Sequence, residues 1–270
     1  MAEDSSSNLS TTNCSGNSCV TIARLSLHVA DDEYARLVNV LSEDEKERSL
    51  RRLPEVRRRA VVSRGRLRVL LGRLIGVSPE EVALTTGRYG KPYLSELHQS
   101  SIQFNVAHSM DEAVVAVSHQ GAIGVDLEKR KTTHNQRWAH LMAPTIFSES
   151  EMTQHVEGRG RLSPDEILDC WVAKEAVLKA IGTGIGDKLR TCQLPADLPR
   201  FKMSVDAEAS SCRLATVVFK DQDFFPGNKI GITLIDLGEG THLAVALPGQ
   251  ICKLAVRSFD SILHDGLMEG

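Results

Sequence analysis

No stretch of the 270-residue chain approaches the ~18 apolar residues that a membrane-spanning helix needs, so the sequence predicts no bilayer crossing. The opening run MAEDSSSNLSTTNCSGNS has no apolar centre for a signal peptide and no arginine for a transit peptide. It is too poor in apolar residues to offset the entropy of ordering, and residues 1–19 are expected to form a disordered leader. The six cysteines include no C-x-x-C pair, and four of them lie in apolar stretches. Reduced, buried thiols in a cytoplasmic protein follow from that pattern. Neither sign of charge dominates: 32 Lys+Arg against 35 Asp+Glu leave a net charge of -3, which argues against a globally basic nucleic-acid binder. Also missing are a P-loop, an H-E-x-x-H motif, zinc-ligand spacing, a G-x-S-x-G elbow and any short repeat. What remains is ordinary globular composition, 41% hydrophobic and 25% charged, which excludes collagen-like and fully disordered chains.

After the leader, residues 21–29 alternate as a strand and Asp31 opens a helix through Val40. Ser42 with Glu45 three residues on reads as a capping box. Between Lys46 and Arg73 there are eleven Lys/Arg and only two Glu, and residues 60–76 carry apolar positions at helical spacing, which predicts an amphipathic helix with a basic face. Gly76 and Ser78-Pro79 end it. Strands follow at 102–108, 112–118 and 122–128, with His119-Gln120-Gly121 expected to make a hairpin between the last two. Segment 137–157 reads as helical, and Pro164 starts a stronger helix that glycines 182, 184 and 186 stop. The remainder alternates strand signals at 201–205, 212–219, 230–237 and 241–247, with a second hairpin at Gly238-Glu239-Gly240. Helix-then-three-strands occurs twice, and short links favour antiparallel pairing. The expected fold is α+β with two similar halves related by a pseudo-twofold, each a small, largely antiparallel sheet packed with helices. The boundaries are 20–120 and 121–258, with a tail at 259–270.

Chemistry-bearing residues occur in four places. In the strand Gly124-Val125-Asp126-Leu127-Glu128, Asp126 and Glu128 point to one face. Adjacent carboxylates are expensive to desolvate unless a cation neutralises them, and a hard divalent ion suits the pair. The same residues also read as a solvated strand end running into Lys129-Arg130-Lys131. On the largely apolar helix around Trp171–Ile181, Glu175 and Lys179 share a face at i, i+4, as a functional pair or a plain surface ion pair. Phe104-Asn105-Val106-Ala107-His108-Ser109 ends a strand with a histidine that is either a phosphate donor or a structural group. Lys91, between Gly90 and Pro92, reads as an anion contact or as a turn.

The order of these segments resembles the 4′-phosphopantetheinyl transferase superfamily, specifically its large, Sfp-like members. Basic helix, G-K-P-Y, F-N-V-A-H-S, G-V-D-L-E and W-V-A-K-E-A-V-L-K-A-I-G-T-G-I follow one another over roughly residues 20–250. The Sfp-like class resembles two small synthase units fused, which matches the two halves and implies a monomer. The resemblance implies that Asp126, Glu128 and Glu175 hold Mg²⁺ against the pyrophosphate of coenzyme A. It implies that Lys179, with Lys174 nearby, faces the phosphates. Lys91, His108 and Ser109, with Asn105 close by, would contact the nucleotide end, and Arg48 the 3′-phosphate, with Arg64 a weaker candidate. Gly65 stands where some members carry a hydroxyl residue near the nucleotide.

The implied reaction moves 4′-phosphopantetheine from coenzyme A to a serine of an apo carrier protein, with 3′,5′-ADP leaving. Glu175 and Lys179 are the implied catalytic pair, Glu175 as general base or as metal ligand only. The implied partners are coenzyme A and an acidic carrier, with neither nucleic acid nor membrane. Two rival classes remain: a nucleic-acid module using the 46–73 helix, which leaves the carboxylates without purpose, and a metal-dependent nuclease or nucleotidyltransferase, which would use them.

Overall fold

Alternation along the strands feeds two different cores from each sheet. The structure, a computed structural model, describes residues 17–119, 121–153, 162–184, 186–195, 197–219 and 229–265. The first sheet contains β1 (Asn17–Ser26), β4 (Gln103–Ser109), β5 (Glu112–Ser118), β9 (Ala207–Cys212) and β13 (Gln250–Ser258), in the order β4-β5-β1-β13-β9. The second contains β6 (Gly124–Lys129), β7 (Cys192–Gln193), β10 (Ala215–Phe219), β11 (Ile230–Asp236) and β12 (Thr241–Pro248), in the order β6-β12-β11-β10-β7, and β8 (Arg200–Lys202) pairs with β11. Val20, Ile22, Val114 and Ala116 of the first sheet meet Val125, Leu127, Leu243 and Val245 of the second in one shared core. The intervening residues Ala23, Leu25, Ala113 and Val115 face the helices α1 (Asp31–Asn39), α3 (Pro54–Ile75) and α6 (Phe259–Asp265). On the far side, Ile232, Leu234, Ala244 and Ala246 pack under α4 (Gln136–Ile146) and α5 (Pro164–Ile181). The result is four layers, helices outside and two sheets inside, an α+β fold.

Local signals account for the helix ends. The Ser42–Glu45 capping box starts α2 (Glu43–Leu50), and a second box, Ser163–Glu166, starts α5 with Pro164 at its first turn. Gly76 and Gly182 close α3 and α5 in the left-handed conformation, at φ 72° and 77°. The segment 137–157 is helical to Ile146, breaks at Phe147 and Ser148, and is helical again over 149–153; residues 154–157 lie outside the described residues, as does most of the leader, although β1 already begins at Asn17.

Three expectations are corrected. The chain around Gly121 is not a hairpin, because β4 and β1 already occupy both edges of β5, and β6 pairs with β12 instead. The hairpin in this region is β4–β5, turning at Met110 with φ 56°. Strand β13 returns to run parallel to β1, and α6 packs Phe259 and Ile262 into the helix-facing core, so the last strand and the tail join the sheet formed by the N-terminal segments. The basic face of α3 is also only partly solvated. Arg66 reaches Glu33 at 2.6 Å and the Ser26 carbonyl, while Arg68 reaches Glu45 at 2.6 Å and the carbonyls of Pro79 and Val82.

The position of α5 is set by small residues. Its inner face carries Ala173, Ala176 and Ala180, and it lies so close to β6 that a Cβ on Gly124 would stand 1.9 Å from the Ala176 carbonyl oxygen and 2.4 Å from the Ala180 nitrogen. Both are backbone atoms, so no rotamer change can relieve the clash. Gly124→Ala should therefore destabilise the protein by about 1–3 kcal/mol or more, read by urea denaturation. A variant as stable as the wild type would mean that α5 is free to shift.

Candidate active site

Asp126 and Glu128 project from one face of β6 toward α5, which returns Glu175 and Lys179 one helical turn apart. Lys179 Nζ donates to Asp126 Oδ1 at 2.5 Å and stands 3.8 Å from Glu175 Oε2. Asp126 is 5% exposed, and its second oxygen, Oδ2, is buried without a hydrogen-bond partner. Burial pushes the Asp126 carboxyl up to about 6, against the opposing pull of Lys179. Burial again, followed by the Asp126 charge, pushes Glu175 up to about 8. Glu128 adds to the repulsion felt by both, while its own Oε2 accepts a 2.7 Å bond from Ser109 Oγ. Three carboxylates and one ammonium thus stand together, with Asp126 and Glu175 buried and Glu128 and Lys179 half-buried. They are neighbours rather than a closed cage: among the described residues no group of three or more His, Cys, Asp or Glu side chains is arranged to hold a metal ion.

Strand β4 divides this cluster from a second site. Its odd-numbered residues serve β6: Asn105 Oδ1 accepts from Val125 N–H at 2.9 Å, and Ser109 Oγ accepts from Lys129 N–H at 3.1 Å. Both pairs are separated by the same 20 positions, so two side chains four residues apart satisfy two main-chain donors four residues apart on an edge strand. The even-numbered residues Val106 and His108 instead line a cleft of about 490 Å³. Arg48 of α2, Arg52 of the turn that follows it, and Arg59, Ser63 and Arg64 of α3 line it as well. Burial lowers the Arg64 pKa, with Glu45 the nearest counter-charge at 3.4 Å.

The residues singled out in the sequence separate into two groups. Asp126, Glu128, Glu175 and Lys179 come together, and Arg48 and His108 face the cleft. Four others are engaged in the framework. Lys174, expected at the phosphates, is 0% exposed and donates to Glu151 at 2.8 Å and to the carbonyls of Ile146 and Leu189, because an ammonium removed from water needs that full set of acceptors. Asn105 and Ser109 bind β6 as described, and Lys91 Nζ is held by the carbonyls of Ile123 and Lys179, where burial lowers its pKa to about 8. The missing hydroxyl at Gly65 has no bearing on the cleft, since that position abuts Leu37 of α1 and Ser63 lines the cleft instead. Arg52, Arg59 and Ser63 escaped the sequence reading, although their spacing carried a signal. Val56, Arg59, Ala60, Ser63, Arg64 and Leu67 recur at three and four residues, the stripe of one helix face.

Residues 122–225 match the family described as 4′-phosphopantetheinyl transferase superfamily, and residues 28–121 match the one described as 4′-phosphopantetheinyl transferase, N-terminal. The chain is 35% identical over 173 residues to the 4′-phosphopantetheinyl transferase HetI of Nostoc sp. (strain PCC 7120), covering 62% of this chain and 70% of that protein. It is 29% identical over 178 residues to a phosphopantetheinyl transferase of Thraustochytrium sp., covering 62% and 61%. With 4′-phosphopantetheinyl transferase AcpT of Escherichia coli (strain K12) it shares 31% over 119 residues, 43% and 55% of the two chains.

The raised carboxyls make a pH prediction for the protein without divalent ions. Asp126 and Glu175 bind protons more tightly folded than unfolded, so their contribution to stability is complete below the ordinary values of 3.8 and 4.5 and is lost as pH rises through about 6 and about 8. Thermal denaturation in chelator should show the wild type losing more Tm than Glu175→Gln between pH 5 and pH 8. Parallel profiles for the two proteins would refute the assignment.

Proposed function

The chain belongs to the 4′-phosphopantetheinyl transferase superfamily, matched over both family domains, and from that premise we propose that it loads carrier proteins using coenzyme A and Mg²⁺. The observation that carries the reading is the meeting of Asp126, Glu128, Glu175 and Lys179 across one strand from a cleft walled by arginines. Coenzyme A presents two anionic groups, a pyrophosphate and a 3′-phosphate, and the two sites suit them differently.

The acidic cluster would repel a pyrophosphate unless a cation intervened. The donor chemistry suits a hard divalent ion, since the oxygens are carboxylates and Asp126 Oδ2 has no other partner, and the side chains, which stand as neighbours rather than a cage, would have to close on it. Asp126, Glu128 and Glu175 would hold it. When bound, such an ion polarises phosphoryl oxygens and offsets the charge that develops during displacement. The chain's own residues do the rest. The serine oxygen of the carrier bonds to the β-phosphorus, its proton passes to Glu175, and the bond to the bridging oxygen breaks as 3′,5′-ADP leaves. The Lys179 ammonium faces the negative charge on the phosphates. In the cleft, Arg48, Arg52, Arg59 and Arg64 supply planar donors for the 3′-phosphate, and His108 lines it as well. Lys174, Asn105 and Ser109 act through the framework.

Asp126, Glu128 and Glu175 all lie within residues 121–258 of a single chain, which supports a monomeric enzyme. No helix among the described residues is long and apolar enough to cross a membrane.

The test is incubation with coenzyme A, Mg²⁺ and an apo carrier, followed by mass spectrometry of the carrier. A gain of one phosphopantetheine is expected, abolished by chelator and by Glu175→Gln, and absent when the acceptor serine is replaced. Arg52→Ala and Arg59→Ala should raise KM for coenzyme A by about tenfold while changing kcat far less, since each removes a ground-state phosphate contact. No mass gain with any apo carrier, or an unchanged KM in both variants, would contradict the proposal.

A further inference from the structure

One strand pair lies outside both main sheets. β2 (Leu84–Thr86) and β3 (Pro92–Leu94) form a finger whose turn is closed by Gly87 N–H to the Lys91 carbonyl at 2.9 Å and by Gly90 N–H to the Gly87 carbonyl at 3.0 Å. The finger belongs to the N-terminal part of the chain, yet its tip reaches the C-terminal end of α5. Lys91 Nζ donates to the Lys179 carbonyl at 2.7 Å and to the Ile123 carbonyl at 2.9 Å. The Tyr93 hydroxyl lies 3.0 Å from where a Cβ on Gly182 would stand, and the Tyr89 side chain lies 3.3 Å from the equivalent point at Gly184. Lys188 donates to the Thr183 carbonyl at 3.0 Å, and its ammonium stands 5.0 Å over the Tyr89 ring. Pro92, between the two contact residues Lys91 and Tyr93, lines the arginine cleft.

The last four carbonyls of a helix have no partner within it, and the final turn frays most readily. Lys179 sits in that final turn, so any fraying moves the ammonium away from Asp126 and Glu175. The finger opposes this in two ways. Lys91 satisfies one of the orphan carbonyls and places a positive charge at the negative end of the helix dipole. Two tyrosines pack on the glycine turn that follows, where φ of 77° and 73° and the absence of side chains let the rings approach.

We propose that the β2–β3 finger is a clamp on the end of α5, with Tyr89 and Tyr93 as positioning residues that hold Lys179 at the acidic cluster and link it to the cleft through Pro92. The role of Lys179 in this inference rests on the transferase reading; the clamp itself does not.

Two measurements separate them. Amide hydrogen exchange over residues 178–184 reads the clamp directly: Tyr89→Ala and Tyr93→Ala should exchange faster there than wild type, Tyr89→Phe should stay close to it because the ring makes the contact, and Tyr93→Phe should fall between, since it loses the hydroxyl that faces Gly182. Steady-state transfer to an apo carrier reads the consequence. In the alanine variants kcat should fall about tenfold or more while KM for coenzyme A stays within about twofold, with phenylalanine at position 89 restoring the rate. Unchanged exchange in both alanine variants overturns the clamp. So does a parallel loss of kcat, KM and Tm that phenylalanine does not rescue, because that pattern marks general destabilisation. Faster exchange in a protein whose wild type transfers nothing would leave the clamp standing and remove the transferase reading.

Discussion

The approach of α5 to β6 is the constraint from which the site follows. Gly124 leaves no side chain between the strand and the Ala176–Ala180 turn of the helix, so the backbones nearly touch. Two residues further along β6 Asp126 is carried under Glu175 and Lys179, and that short separation removes water from both carboxyls while the Lys179 side chain stays partly exposed. The consequences are electrostatic. Carboxylates that would be fully ionised at a surface are pushed up to about 6 and about 8, because desolvation outweighs the attraction of one nearby ammonium. Packing of small residues therefore sets the proton affinity of the acidic cluster.

The same economy of spacing organises β4. Alternation sends Asn105 and Ser109 to β6 and leaves Val106 and His108 for the cleft, so a single strand is both a fastening and a wall. Because Ser109 also donates to Glu128, the fastening orients one of the acidic residues. Behind α5, Lys174 and Glu151 form a buried pair that ties the helix to the end of α4 and to the loop before Leu194. A charge pair so fully removed from water is costly unless every lone pair and proton is used, and here they are shared among the main-chain carbonyls of Ile146 and Leu189 and the main-chain amides of Ser148 and Leu194. Rigid support on both sides of the helix suits the proposed reaction, in which the positions of Lys179 and Glu175 matter.

Sequence patterns disclosed whatever was decided locally. Capping boxes at Ser42 and Ser163, the proline starts and the glycine stops were legible because the residues that satisfy each other lie three or four apart. The Asp126–Glu128 pair was legible for a similar reason, since strand alternation fixes their common face. Partnerships made over long separations were not. Strand β13 pairs with β1 across most of the chain, and nothing within residues 250–258 announces that neighbour. A short link containing Gly121 looks the same whether it folds back on β5 or crosses to the other sheet; the occupied edges of β5 decided it. Lysine is equally ambiguous. Lys174 and Lys179 lie on one helix with the same chemistry, and only burial distinguishes the one fastened to Glu151 from the one facing Asp126. The glycines at 182 and 184 read as helix stops, whereas their second use, receiving Tyr93 and Tyr89, depends on a finger from elsewhere in the chain.

In the proposed reaction Asp126, Glu128 and Glu175 act together on one divalent ion in the presence of a diphosphate. Binding of Mn²⁺, followed by electron paramagnetic resonance with coenzyme A present, measures this without requiring turnover. A single tight site per chain is expected, weakened by about tenfold or more in each of Asp126→Asn, Glu128→Gln and Glu175→Gln. Wild-type Mn²⁺ affinity in any of the three variants would contradict it.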